Sequence, residues 1–279
     1  MDAGRLFVVA TPIGNLEDIT RRALRVLGTV DLIAAEDTRH SKRLLRRFDI
    51  TAPLVSYHDH NEAARAQVLI DELNQGKDIA LISDAGTPCV SDPGYRIVRA
   101  AHEHGIEVVA VPGPSAAIAA VSISGLPNDR VTFHGFFPRK QSAAARLLEL
   151  IRAIAGTHVF FESPRRLVAT LQRLGEHLAG AEACVVRELT KQFEETLRGT
   201  PQALAEQLAA RGVKGECVLV VHVPESPPDA ENWSAADLRE QVHRVMQRDG
   251  LSSRDAIRRV ADTLHVPRRR VYEATVKEP

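Results

Sequence analysis

The sequence predicts an α/β protein with a largely parallel first sheet, a mixed second sheet and a small helical module at the end. Three observations carry this. Short apolar runs closed by Gly/Pro turns alternate with helical stretches through the first two-thirds of the 279 residues. The texture changes after Leu126-Pro127. A proline-rich stretch, VPESPPDAENW from Val223 to Trp233, then precedes a basic tail that reads as helix throughout. The boundaries expected are 1–120 and 121–224 for two α/β domains, 225–234 for a linker and 235–279 for the helical module.

In the first region the strands expected are Leu6–Ala10, Val30–Ala35, Ile79–Ser83 and Glu107–Val111, each a β-branched or apolar run stopped by a turn. Helices are expected over Ile19–Leu27, Ser41–Phe48, Glu62–Gln75 and Gly94–His104. The second region gives strands at Val131–Phe136, His158–Phe161, Ala183–Arg187 and Cys217–His222, separated by helices around Ala143–Ala155, Leu167–Leu178 and Gln202–Ala210. Ala235–Arg248, Ser253–Leu264 and Pro267–Val276 form the tail, with Ser253 as a cap and Pro267 in a first turn.

Composition narrows the class. Lys plus Arg and Asp plus Glu both number 36, so the net charge is zero, and 44% apolar residues with 26% charged is ordinary globular composition. Zero charge argues against coating polyanions over the whole surface, and 4% aromatics offer no obvious stacking platform. Cys89, Cys184 and Cys217 are widely spaced and odd in number, which fits a reducing compartment better than a disulfide framework or zinc ribbon. With neither a signal-peptide pattern nor an 18-residue apolar run, a cytoplasmic protein without a membrane span is expected. His58 and His60 make an H-x-H pair without an evident third ligand, so no metal is expected.

The informative motifs are strand-end turns. Thr11-Pro12-Ile13-Gly14-Asn15, Asp84-Ala85-Gly86-Thr87-Pro88 and Pro112-Gly113-Pro114-Ser115-Ala116 each follow a first-region strand. Ligands of open parallel sheets bind outside the carboxyl ends of strands, where such turns expose backbone groups. Ordinary loop punctuation would also supply Gly and Pro. No P-loop, G-x-G-x-x-G, H-E-x-x-H or G-x-S-x-G is present.

Seven segments in order, LFVVATPIGNLEDIT, AAEDTR, ISDAGTPCVSDPG, VPGPSA, GFFPRK, FFESPRRL and VRELTKQFEE, resemble the tetrapyrrole methylase superfamily. Within it they are most similar to the branch that methylates 16S rRNA, and the resemblance spans nearly the whole chain. Gly14 matches the last glycine of the superfamily's G-x-G-P-G turn, whereas Ile13 replaces its proline, a variant associated with the rRNA branch. The resemblance implies a two-domain homodimer that uses S-adenosylmethionine to methylate the 2′-hydroxyl of a cytidine in the decoding centre of 16S rRNA, within the small ribosomal subunit. It places the cofactor between the domains, against Pro12, Gly14, Asp84, Ala85, Gly86, Thr87, Val90 and Ser91. Ser115 and Ala116 would form a second wall. Phe160, Phe161 and Glu162 would form the facing one, with Gly215, Glu216 and Cys217 reaching the adenine. Strand alternation equally allows Phe160 and Phe161 to face a core.

Methyl transfer to a hydroxyl needs in-line alignment and gains from a positioned base or cation. Glu36, Asp37, Arg39, Glu188 and Lys191 are the catalytic candidates. Lys191 could serve as an amine of lowered pKa, or pair with Glu188 on the surface. Arg39 could instead clamp a phosphate. Basic residues cluster: Arg21 to Arg47 holds eight basic and three acidic residues, Leu251 to Lys277 seven and three, and Arg supplies 30 of the 36 basic residues. The RNA-contact candidates are Arg43, Arg46, Arg47, Arg139, Lys140, Arg165, Arg166, Arg258, Arg259, Arg268, Arg269 and Arg270, the last five in a tail that resembles a helix-turn-helix anchor. Solvated helix faces are the plain alternative. Two other functions stay open, a C-methyltransferase of porphyrin or corrin precursors and a non-catalytic RNA-binding assembly factor.

Overall fold

The computed structural model describes residues 3–224, 233–264 and 266–276. The chain divides into two compact units, Met1–Val223 and Pro224–Pro279. The expected linker falls almost wholly on residues 225–232, outside the described residues.

The first unit begins with β1 (Leu6–Val9), α1 (Arg21–Leu27), β2 (Leu32–Ala35), α2 (Thr38–Arg47), β3 (Leu54–Ser56), α3 (Glu62–Asn74), β4 (Ile79–Ile82), α4 (Tyr95–Glu103) and β5 (Val108–Val111). The strands form an all-parallel sheet in the order β3-β2-β4-β1-β5. Helices cover both faces. One core joins Leu6, Leu81 and Ile97 to α3 and α4, and the other joins Val9, Ile33 and Ile82 to α1 and α2. A parallel strand buried on both faces reads as a continuous apolar run, hence IALI in β4 with every residue buried.

The second half of this unit contains α5 (Ala116–Ser124), β6 (Val131–Phe136), α6 (Gln141–Ala153), β7 (Gly156–Glu162), α7 (Pro164–His177), β8 (Glu182–Arg187), β9 (Glu195–Gly199), α8 (Pro201–Arg211) and β10 (Cys217–Val223). Its sheet runs β6-β7-β10-β8-β9, with β6 parallel to β7 and the other pairs antiparallel. Phe160, Leu219 and Val185 pack under α6, α7 and α8 on one face. On the other, Val159, Val186, Val218 and Val220 pack against Ala117 and Ala120 of α5.

Caps explain several boundaries. The Thr20 side chain accepts from the Ala23 N–H, starting α1 after a 3-10 turn at Leu16–Asp18 rather than at Ile19. Asp37 accepts from the Arg39 N–H, so α2 begins at Thr38, three residues ahead of the expected Ser41. Pro164 and Pro201 occupy the first turns of α7 and α8.

The second unit comprises α9 (Ala235–Asp249), α10 (Ser253–Leu264) and α11 (Arg268–Val276) around Leu238, Val242, Val260 and Val271. Ser234 and Asp237 form a reciprocal capping box at α9. The cap of α10 is Ser252, whose Oγ accepts the Asp255 N–H at 3.2 Å, and not Ser253, the first helical residue. No helix among the described residues is long and apolar enough to cross a membrane.

Candidate functional site

The loops after β1 and β4 are stitched together by two backbone hydrogen bonds, Thr11 N–H to Gly86 O at 2.9 Å and Gly86 N–H to Thr11 O at 3.0 Å. Thr87 Oγ1 donates to Pro114 O at 3.2 Å and ties in the loop after β5. These carboxyl-end loops form one wall of a cavity of about 370 Å³. Ile13, Ala85, Gly86, Thr87, Val90, Ser91, Asp92, Ser115 and Ala116 come from the first sheet's side. Phe136, Phe161, Glu162, Ser163, Pro164, Val186, Leu189, Glu216, Cys217 and Val218 face them from the second.

Eleven of the sixteen residues expected at a cofactor line this space: Ala85, Gly86, Thr87, Val90, Ser91, Ser115, Ala116, Phe161, Glu162, Glu216 and Cys217. Pro12, Gly14 and Asp84 line an adjoining groove of about 300 Å³ instead. Gly215 lies against Glu188: a Cβ there would stand 2.4 Å from Glu188 Oε1, at a φ of +84°. Phe160 is a correction. It is fully buried on the opposite face of β7, stacked on His134 at 4.8 Å and edge-on to Phe137 at 5.6 Å. Strand alternation sends Phe161, not Phe160, to the cavity, where it meets the exposed Phe136 ring at 5.7 Å.

Asp92, Phe136, Ser163, Pro164, Val186, Leu189 and Val218 were not singled out in the sequence. Asp92 and Ser163 stand inside the quoted motifs and Val218 continues the strand after Cys217, so motif membership was the available signal. The strained backbone clusters here as well. Cys89 and Ser91 at φ +69° and +67°, and Glu188 and Thr190 at +50° and +65°, flank the cavity and groove. Non-glycine residues hold such angles only where the surroundings impose them.

The catalytic candidates separate. The Asp37 carboxylate is occupied by its own helix and by Arg39, with Nη2 at 3.0 Å and Nε at 3.3 Å, and these bonds pull its pKa down to about 2. Asp37 is therefore a cap and ion-pair partner, a poor proton acceptor. Arg39 pairs with it through Nε and Nη2 while its side chain stays 89% exposed. Burial first, and then the Asp92 charge, push the Glu36 carboxyl above its ordinary value. Its Oε2 accepts the Asp84 N–H at 3.4 Å, while Asp84 Oδ1 accepts the Asp37 N–H at 3.0 Å. Burial likewise raises the pKa of Asp92, opposed by a Ser83 hydrogen bond.

Of the two readings of Lys191, the ion pair with Glu188 is present and the amine of lowered pKa is not. Burial alone would lower its pKa, but hydrogen bonds from Nζ to Glu216 Oε2 at 2.8 Å and Glu188 Oε1 at 3.1 Å outweigh that and raise it. It stands as an ammonium, with no lone pair to accept a proton. Glu188 is held below its ordinary pKa, chiefly by the Glu216 N–H. Cys217 faces the cavity as a neutral thiol, pushed to about 11 by burial.

Among the RNA candidates, Arg43 lines the 300 Å³ groove with His40, and Arg47 lines a further one of about 650 Å³ with Gly14, Asn15 and Lys191. Arg46, Arg139, Lys140 and Arg165 are exposed. Arg166 is not available: its Nη2 is 2.5 Å from the buried Glu162 Oε1 and 3.1 Å from Phe137 O. Several tail arginines are also engaged, Arg259 with Asp249 at 3.0 Å, Arg269 with Glu273 at 2.9 Å, Arg258 with Asp255 at 3.7 Å, and Arg270 with Trp233 O at 3.0 Å. Arg268 makes no ion pair among the described residues. No group of three or more His, Cys, Asp or Glu able to hold a metal occurs among them either.

Comparison with known proteins agrees with this architecture. The family model for Tetrapyrrole (Corrin/Porphyrin) Methylases matches residues 5–205. A Synechocystis protein named ribosomal RNA small subunit methyltransferase I is 44% identical over 275 residues, covering 98% of each chain. The protein of that name from Mesorhizobium japonicum is 50% identical over 226 residues, covering 80% of this chain and 77% of its own. Among solved structures, a uroporphyrin-III C-methyltransferase from Thermus thermophilus complexed with S-adenosylhomocysteine superposes with a TM-score of 0.55 at 18% identity, over 78% of this chain and 97% of that one. With a family model spanning most of its length and relatives of this identity, the chain belongs to the tetrapyrrole methylase family, alongside the ribosomal RNA small subunit methyltransferase I proteins.

Proposed function

We propose that the protein uses S-adenosylmethionine to methylate the 2′-hydroxyl of a cytidine in the decoding centre of 16S rRNA, acting on the small ribosomal subunit. The observation that carries the reading is the continuity of the cavity with the adjoining 300 Å³ groove bearing Arg43, through the shared residues Ile13, Ala85 and Glu216. The cavity suits a cofactor, and the groove an extended anionic substrate.

The residues present fit the cofactor. The wall at Gly86 is open because no side chain is there; a Cβ would press on Ile13 Cγ2 at 3.3 Å in a backbone of φ +79°. Ser115 and Ala116 sit at the start of α5, where unpaired N–H groups favour a carboxylate. Phe161, Val186 and Val218 give an apolar face for a purine ring. Bound there, the cofactor would supply an activated methyl group on sulfur.

The chain's own part is alignment and proton transfer. Holding the ribose hydroxyl in line with the methyl carbon converts a bimolecular encounter into a positioned one, a large share of the rate for an already activated donor. With the cofactor's sulfur leaving with the C–S electrons, the ribose oxygen would gain the methyl group and its proton would need an acceptor among the chain's own residues. Acceptance falls to Asp92, which lines the cavity and whose pKa burial raises; Glu36, raised likewise, borders neither the cavity nor the two grooves. On the same resemblance the enzyme is a cytoplasmic homodimer.

A C-methyltransferase of tetrapyrroles shares the fold. The helical second unit favours RNA: the Thermus thermophilus structure matches over nearly its full length yet leaves about a fifth of this chain unmatched. Transfer of a labelled methyl group from the cofactor to unmethylated small subunits, and not to porphyrin precursors, tests the assignment.

A further inference from the structure

The cavity and the two grooves meet at one ion pair. Glu216 lines the cavity and the 300 Å³ groove, and Lys191 lines that groove and the 650 Å³ one. The two carboxylates around the Lys191 ammonium are unlike. Glu188 is 19% exposed and also accepts the Glu216 N–H at 2.9 Å, so it is fixed in place. Glu216 is 81% exposed, and Lys191 is the only partner of its carboxylate among the described residues. An ion pair to so exposed a carboxylate contributes little and exchanges readily with another anion.

The loop that carries Lys191 is itself held. Thr190 Oγ1 accepts the Asn15 N–H at 3.1 Å, and Gly14 packs so closely that a Cβ would stand 2.6 Å from Lys191 Cγ. If Glu216 leaves, Glu188 and this packing keep the ammonium aimed at the junction. Arg43 and Arg47, one turn apart on α2, continue the positive line into the grooves, and both are exposed and without ion pairs among the described residues. The opposing carboxylates there are Glu17, Asp84 and Glu216; Asp84 is occupied by the Asp37 N–H at 3.0 Å.

We propose that Lys191 grips a backbone phosphate of the RNA strand where the substrate groove opens onto the cofactor cavity, and that Glu216 is the counter-ion the phosphate displaces. This rests on the RNA-methylating reading and adds to it a named phosphate contact with a built-in competitor. Removing the cation and removing its competitor should then act in opposite directions, which an ion pair that merely ties two loops together cannot do.

The test is equilibrium binding of unmethylated small subunits to wild type, Lys191→Met, Lys191→Arg and Glu216→Gln, with S-adenosylhomocysteine present and salt varied. Loss of one charge-assisted contact should weaken Lys191→Met by about 10- to 100-fold and lower the salt slope by about one phosphate. Lys191→Arg should recover most of the affinity, and Glu216→Gln should bind about 2- to 5-fold more tightly than wild type, as expected when a competing surface ion pair is lost. Far-ultraviolet dichroism and urea unfolding report whether each variant has folded, because Glu216 itself lines the cofactor cavity. Parallel weakening in Lys191→Met and Glu216→Gln, or an unchanged salt slope in Lys191→Met, overturns the proposal. The readout does not need turnover: wild type that binds subunits in this pattern but never methylates them sinks the functional reading alone. Failure of wild type to bind subunits at all sinks both.

Discussion

Glu162 shows how the site is supported from behind. Its side chain is fully buried, yet the carboxylate meets Arg166 Nη2 at 2.5 Å, the Thr170 hydroxyl at 2.7 Å and the Ser163 N–H at 2.7 Å. These bonds fix the turn from β7 into α7, where Ser163 and Pro164 line the cavity. Glu162→Ala leaves the Arg166 guanidinium half-paired, with only Phe137 O remaining, and strands the Thr170 hydroxyl and an N–H in the interior. Breaking a buried pair in this way costs about 3–5 kcal/mol. For a unit of this size that is a fall of about 6–20 °C in Tm. Glu162→Gln keeps one acceptor oxygen for the Ser163 N–H and turns an amide N–H toward the Thr170 hydroxyl, which can accept it, but loses the charge, and should cost about 1–2 kcal/mol. Urea unfolding of wild type, both single variants and Glu162→Gln/Arg166→Met measures this, the double variant recovering part of the loss because no unpaired guanidinium remains. A Glu162→Ala protein within about 1 kcal/mol of wild type would refute the reasoning, since so small a loss is typical of a surface pair.

Three other outcomes are expected. Burial holds His134 at about 4 and lowers His158, the two rings sharing a 3.0 Å hydrogen bond, so the unfolded chain takes up protons before the folded one. Their contribution to stability is present above pH 6.5 and is lost as pH falls toward 4, and His134→Gln should flatten that acid limb in denaturant titrations. Gly86→Arg fills the open cavity wall at a φ of +79° and should abolish calorimetric binding of S-adenosylhomocysteine while leaving the far-ultraviolet dichroism of the fold. Deleting residues 235–279 removes the helices of the second unit, and should weaken subunit binding at least tenfold with little change in cofactor affinity, as read by filter binding and calorimetry.

The first sheet was legible because its strands are buried on both faces and ended by turns. Ile79–Ile82 reads directly as a strand from four apolar residues before Ser83-Asp84. What escaped notice lacks such a signal. β3 is only three half-buried residues at a sheet edge, and β9, ETLRG, is an edge strand with alternating partial exposure and polar side chains. α5, AAIAAVSIS, is apolar almost all round and so shows no helical period. At the site, motif order brought most of the cavity lining together, but sequence could not say which of two adjacent phenylalanines faces inward. Nor could it show that Asp37 and Arg166 are consumed by local partners three-dimensionally close to them. For Lys191 the pairing with Glu188 was legible at i, i+3, but its second partner was not: residue 216 is 25 positions away along the chain, and only folding brings its carboxylate to the ammonium.

The central claim is chemical and is tested by where the methyl group goes. Small subunits from a strain lacking the enzyme, incubated with the purified protein and methyl-labelled S-adenosylmethionine, can be digested to nucleosides and their rRNA mapped by mass spectrometry. The account predicts label in 2′-O-methylcytidine at one position of the 16S decoding centre. Label on a base, at scattered positions, or on a tetrapyrrole precursor with none on rRNA would contradict it.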